Sequence, residues 1–238
     1  MKKVAIMQPT YIPWVGYFAL MDYVDEFIIL DHVQFARRSW QQRNRIVSKG
    51  REHMLSVAVQ KANRDSVISE ILLSNPEKEL IKHQSTIEQA YSKCDFFDEY
   101  SSAFKSCYSD VTSLLSLNMN IINFLKSCFE INTPLVLSSE LSVTGAKSEL
   151  MYNLCKARSA THYISSPGSR EYMESVEGFD FEAVPVSYFE YQPCSYTQLS
   201  DSFIPYMGAI DLLFNEGPNS ISITKNGITQ DFLFGLKR

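Results

Sequence analysis

Apolar and polar positions follow two different periods along this chain. Residues 4–6 form a short apolar run, residues 17–24 an amphipathic one, and residues 26–31 a second apolar run. The predicted order is strand, helix, strand. The connecting turn is Met7-Gln8-Pro9-Thr10-Tyr11-Ile12-Pro13-Trp14-Val15-Gly16. Residues 43–59 read as a hairpin whose turn, Ser48-Lys49-Gly50, is longer than the tight two-residue kind. A further strand is expected at 68–73. From Pro76 the period changes from two to about 3.6. Asn75 or Pro76 begins a helix with Leu80, Ile81, Ile87 and Tyr91 on one face. Two more helices are expected at 96–108 and 111–129.

The alternation of strands and helices then returns. Strands are expected at 134–137, 161–164 and 181–188, and helices at 146–159, with Thr144 as cap, and within 203–214. Asn215-Glu216-Gly217 stops the last helix, and the tail from Ile221 reads as less structured. The pattern implies an α/β fold with a mainly parallel sheet. Its N-terminus is a strand–turn–helix of nucleotide-binding type. Residues 1–238 are expected to form a single domain, with a helical layer or insertion at about 76–130.

Composition narrows the function classes. Of 238 residues, 45% are hydrophobic and 21% charged, as in ordinary globular proteins, and the net charge is −5. A general basic surface for nucleic acid is therefore absent, and an anionic ligand would need a local basic cluster. The five cysteines are scattered and show no Cys-x-x-Cys spacing, which argues for reduced thiols rather than a disulfide framework or a zinc knuckle. Residues 1–9 are too short and polar for a signal peptide, and no stretch has the length of a membrane helix. A cytoplasmic location is expected.

In open α/β sheets the end of the first strand is a ligand site. There the turn offers Gln8, Tyr11, Trp14, Gly16 and Tyr17. Its step Trp14-Val15-Gly16-Tyr17 has the layout of the HIGH-type nucleotidyltransferases, with aromatic rings in place of both histidines. The only strongly basic patch follows, with Arg37, Arg38, Arg43 and Arg45 around Trp40. Guanidinium forks suit phosphate and a tryptophan suits a base or a pyranose, so this patch fits a nucleotide-linked sugar. Ser165-Ser166-Pro167-Gly168-Ser169-Arg170 could form an anion nest after a strand. Acid or base candidates are Asp31, His32, His83, Glu171 and Asp211. Of these, Asp31 and His83 are the assigned catalytic pair, Asp31 because a carboxylate ending an apolar strand needs a partner. The P-loop and dinucleotide fingerprints are absent, and no metal-ligand cluster is visible.

Three blocks resemble the WbqC-like family: Gln8-Pro9-x-Tyr11-x-Pro13-Trp14-x-Gly16-Tyr17-Phe18, Leu30-Asp31-x-Val33-Gln34-Phe35, and Ser39-Trp40-x-x-Arg43-Asn44-Arg45-Ile46. The likeness continues through Lys82-His83 with Tyr91, Tyr163-Ile164-Ser165 with Tyr172, Tyr196-x-Gln198, and Phe203-Ile204-Pro205. It ends in Ile210-Asp211-Leu212-Leu213-Phe214-Asn215-x-Gly217 and covers nearly the whole chain. His32, Ser166-Pro167-Gly168 and Met207 depart from the family pattern, so no role is carried over to positions 32, 166 and 207. The resemblance adds Gln34, Asn44, Tyr172 and Asp211 to the substrate-binding set. It implies work on sugars for bacterial surface polysaccharide, O-antigen or capsule.

Three expectations follow. The first is a transferase that modifies a nucleotide-linked amino sugar by adding an acyl or aminoacyl group to its amine. The second is a HIGH-like nucleotidyl or adenylyl transferase. The third is a non-enzymatic partner of a glycosyltransferase complex. ATP, or an acyl or aminoacyl donor, is the co-reactant that the first two call for, and a homodimer stays open.

Overall fold

The computed structural model describes residues 1–175, 178–229 and Phe232. β1 (Lys3–Met7) turns into α1 (Val15–Tyr23) and returns as β2 (Glu26–Ile29). The hairpin β3 (Arg43–Ser48) and β4 (Arg51–Ser56) follows, and then the helical block α2 (Pro76–Tyr91), α3 (Phe97–Ser106) and α4 (Leu114–Cys128). β5 (Leu135–Leu137), α5 (Lys147–Ala157), β6 (His162–Ser165), α6 (Arg170–Ser175) and β7 (Val186–Tyr188) complete the α/β part. α7 (Ile210–Glu216) and α8 (Ser220–Asn226) close the described chain.

Five strands form one sheet in the order β5-β2-β1-β6-β7, all parallel. The chain therefore steps outward from β1 through β2 to β5, then crosses by α5 to β6 on the other side of β1. The change of direction falls between β1 and β6. At such a switch point the two adjoining loops part and leave a crevice at the strands' carboxyl ends.

Strand periodicity decides the two faces. Ala5, Phe27, Ile29 and Ile164 face a large core shared with α1, the helical block and α7. Val4, Ile6, Ile28 and Leu30 face the opposite way, onto Leu150, Met151 and Leu154 of α5 and Met173 of α6. α1 is apolar nearly all round because it lies between sheet and helical layer, with residues 15–21 all buried. Phe18 meets Phe129 edge to face at 5.3 Å, joining α1 to the end of α4.

Several local expectations change. The hairpin turn is the tight two-residue kind, Lys49-Gly50, both with positive φ (53° and 72°), as a type I′ turn requires. Residues 68–73 hold a 3-10 turn and single bridges rather than a strand. Ala146, not Thr144, precedes α5, and no side chain caps it. The expected strand 181–188 shortens to β7, and the helix within 203–214 begins only at Ile210. In the tail, α8 is helical, with Ser220 and Thr224 buried.

Candidate functional site

The turn after β1 is held from four directions. The Tyr11 N–H donates to the Trp40 carbonyl at 3.0 Å. Asn44, buried on β3, donates its amide to the Tyr11 and Ile12 carbonyls at 3.1 and 2.8 Å. Asn118, buried on α4, reaches the Pro9 and Gln41 carbonyls at 3.3 and 2.8 Å. The Ala209 N–H donates to Pro13 at 2.8 Å. These bonds hold Ile12 at φ 44°, a conformation that a β-branched residue adopts only when its surroundings impose it. Gly208 must lack a side chain, because a Cβ would press on Ile12.

Trp14 folds back over Gly16 so closely that a Cβ at Gly16 would overlap the indole. The indole also meets Tyr191 and Tyr206, each with ring centres 5.4 Å away. It therefore covers the α1 backbone at the position where a HIGH-type site receives phosphate.

Two adjoining lobes, with lining residues in common, open at the carboxyl ends of the central strands. The smaller, about 250 Å³, is walled by Trp14, Tyr17, Trp40 and Tyr206, with Asn44 and Arg45. The larger, about 520 Å³, lies at the β1/β6 switch point between Gln8 and Gln41 on one side and Ser165, Ser166 and Ser169 on the other. Lys147 lines it from the start of α5. Met7, Thr10 and Trp40 border both lobes. The Thr10 hydroxyl is buried at this neck with no hydrogen-bond partner among the described residues. Native structures rarely leave a buried polar atom in that state without a ligand or water role.

The lining is electrostatically one-sided. Although 27 residues of the chain are acidic, no Asp or Glu among the described residues borders either lobe. The charged residues there are Arg45 and Lys147. Arg45 is engaged: it pairs with Glu52 at 3.1 Å, reaches the Tyr206 carbonyl at 3.4 Å, and lies over the Trp40 ring at 5.4 Å. Lys147 makes no ion pair among the described residues. Opposite it, the Ser165 hydroxyl is 2.6 Å from that of Ser169, which donates to the Ser166 carbonyl at 2.7 Å.

Of the residues expected from sequence, Gln8, Trp14, Tyr17, Trp40, Asn44, Arg45 and Ser165 come together at this cleft. Gly16 contributes by admitting the indole. Gln8 accepts from the Gln41 amide at 2.9 Å. Arg43 stays outside the lining, 6.0 Å from the Trp40 ring centre. Gln34 is exposed and donates to the Arg64 carbonyl at 2.7 Å. The side chain of Tyr172 lies outside the described residues. Thr10, expected with Gln8 to replace the histidine contacts of a HIGH-type site, borders both lobes, and Lys147 and Tyr206 line the cleft without having been singled out for binding.

The expected acid/base groups lie elsewhere. Asp31 is fully buried, and Ser138 Oγ, Ser139 N and Ser139 Oγ donate to it at 2.9, 2.9 and 2.6 Å. It closes the β2 and β5 loops together and does not line the cleft. His83 is buried in α2, its Nδ1 2.8 Å from the Tyr11 hydroxyl, which is also 2.8 Å from that of Tyr108. Burial lowers the His83 imidazole below its usual range and raises the Tyr11 phenol. Asp211 is buried too, accepting from Tyr196 and Gln198, each at 2.7 Å, and burial raises its carboxyl. Among the described residues no group of three or more His, Cys, Asp or Glu could hold a metal ion. No helix among them is long and apolar enough to cross a membrane.

The chain is 37% identical over 221 residues to the uncharacterized protein Rv1507c of Mycobacterium tuberculosis (strain H37Rv), covering 91% of this chain and 95% of that one. No solved structure matches it significantly. The sequence profile of the WbqC-like protein family matches residues 8–223, from the turn at Gln8 into α8. The chain belongs to the WbqC-like family.

Proposed function

We propose that this protein is a surface-polysaccharide biosynthesis enzyme that holds a nucleotide-linked amino sugar in the two-lobed cleft and acylates or aminoacylates the sugar amine. The observation that carries the ligand class is the lining: aromatic and aliphatic side chains, hydroxyls and two cations, with no acidic residue among the described residues, in a chain of net charge −5. Such a surface selects an anion that also carries flat or pyranose rings. The surface-polysaccharide context rests on the family resemblance.

In the reaction the sugar amine attacks the carbonyl carbon of an activated acyl or aminoacyl donor. The new C–N bond forms as the bond to the leaving group breaks with its electron pair. The amine proton leaves with the departing group or to solvent, because no carboxylate or imidazole among the described residues lines the cleft. The protein's part is positioning and charge neutralisation. The HIGH-like alternative finds less support, since the Trp14 indole covers the helix start at Gly16.

A thermal-shift screen tests this reading, because a ligand that binds only the folded state raises Tm by mass action. A nucleotide-linked amino sugar is expected to stabilise the protein more than ATP or CTP with magnesium. Trp14→Ala is expected to abolish the shift. Better stabilisation by ATP or CTP would favour nucleotidyl transfer, and a flat response would favour a protein partner.

A further inference from the structure

We infer that the two lobes take different parts of one ligand: its diphosphate sits in the larger lobe against Lys147 and the serine turn, and the arginines of β3 instead hold Trp40 in place as a ring platform. This deepens the nucleotide-sugar reading and rests on it for the ligand's rings. The diphosphate site itself stands on separate observations.

The first is the state of each cation. The Arg45 guanidinium already faces the Glu52 carboxylate at 3.1 Å and the Tyr206 carbonyl at 3.4 Å. Both Arg43 and Arg45 lie over the Trp40 ring, 6.0 and 5.4 Å from its centre. A phosphate approaching Arg45 would compete with a carboxylate already in place. Lys147 carries no such partner among the described residues. An ammonium with all three donors available is the stronger anchor.

Position supplies the second observation. Lys147 lines the cavity at the β1/β6 switch point, where parallel sheets receive phosphates, and the larger volume of about 520 Å³ accommodates a diphosphate with its water. Ser165, Ser166 and Ser169 bring hydroxyls to the same cavity, among apolar side chains such as Leu150, Met151 and Met173. Chemistry of the smaller lobe gives the third. Trp14, Tyr17, Trp40 and Tyr206 present ring faces and edges, suited to a base or a sugar and to no phosphate.

The test titrates purified full-length protein with inorganic pyrophosphate, uridine diphosphate and uridine by calorimetry. Wild type is expected to bind pyrophosphate and uridine diphosphate. Lys147→Gln is expected to weaken both by roughly tenfold, the usual loss of a charged hydrogen bond. Lys147→Arg should restore most of it, and Arg45→Gln should leave pyrophosphate binding within about threefold of wild type. Lys147 is exposed at the rim, so its variants are expected to fold with wild-type Tm. Pyrophosphate binding that Arg45→Gln removes and Lys147→Gln leaves intact overturns the assignment while leaving the nucleotide-sugar reading in place. Wild-type protein that binds no pyrophosphate overturns it as well. Strong diphosphate binding through Lys147 with no response to any nucleotide-sugar would sink the reading and keep the site.

Discussion

Asp31, just after β2, and Lys147, at the start of α5, lie at the same end of the sheet, and the fold treats their charges oppositely. The Asp31 carboxylate is completely buried and receives three donors from Ser138 and Ser139. Lys147 lines an open cavity and has no ion-pair partner among the described residues. The same contrast separates Tyr11, whose hydroxyl meets both His83 and Tyr108, from its neighbour Thr10, whose buried hydroxyl has no hydrogen-bond partner among the described residues. A buried polar group with every partner supplied by the protein fixes architecture. A group left without one, beside a cavity, is available to a ligand.

Asp31→Ala is the strongest way to break this comparison. It strips the Ser138 and Ser139 donors of their acceptor inside the protein, and is expected to cost about 3 kcal/mol or more in denaturant unfolding. The folded fraction should bind pyrophosphate as wild type does. Asp31→Asn keeps the shape and should cost less. Near-normal stability with ligand binding or turnover abolished in Asp31→Asn would instead place the carboxylate in the chemistry.

Gly16→Ala attacks the other side, where the ligand's rings are received. The added methyl group displaces the Trp14 indole, at an expected cost of about 1–3 kcal/mol, as for other overpacked sites. Nucleotide-sugar affinity should fall with it, while pyrophosphate affinity stays. A parallel loss of both would mean that the two lobes are not independent.

How much of this was legible in the sequence follows from the range of the forces involved. The alternating Val4, Ala5 and Ile6 and the 3.6-residue period of the helical block are local signals, and both elements stand where expected. Lys49-Gly50 was a local signal too, but its length was misjudged because only the strand register fixes where the turn begins. The run 68–73 has strand composition yet finds single bridges to Ser113 and Val59 rather than a full partner strand. At the site, the turn and the Trp40–Arg45 stretch were visible as concentrations of ligand-type side chains. Lys147 was not, because its role arises only when the crossover from β5 brings the start of α5 to the crevice beside β1. Asp31 shows the converse: its sequence context signals a needed partner, and only the fold reveals that the partner is a pair of serines.

A smaller effect is expected from pH, through His83. Burial holds its imidazole below the ordinary value of 6.5, so the unfolded chain takes up the proton first as pH falls. Its contribution to stability is therefore complete above that value and is lost as pH drops below it toward the folded-state pKa. The groups around it are Tyr11 and Tyr108 in the buried network, with Glu79 and Lys82 on its own helix. His83→Gln is expected to flatten the fall in Tm below pH 6.5, leaving the part due to His162, which burial lowers in the same direction. Ligand affinity at neutral pH should not change. A loss of turnover with an unaltered stability profile would return His83 to the list of catalytic groups.

Glu52→Gln is expected to have the least effect on the fold and gives the finest resolution between the two cations. Its ion pair with Arg45 is solvent-exposed, so removal should change stability by less than about 1 kcal/mol. The variant also frees the Arg45 guanidinium. If Arg45 props Trp40 and Lys147 holds the diphosphate, pyrophosphate affinity should rise by no more than about threefold, through the loss of one nearby negative charge. If Arg45 is the diphosphate ligand, releasing it from its competitor should strengthen pyrophosphate binding by about tenfold, and Lys147→Gln should then matter little in that background. Because neither substitution touches the buried network around Asp31, the difference between the two outcomes reads the cleft alone.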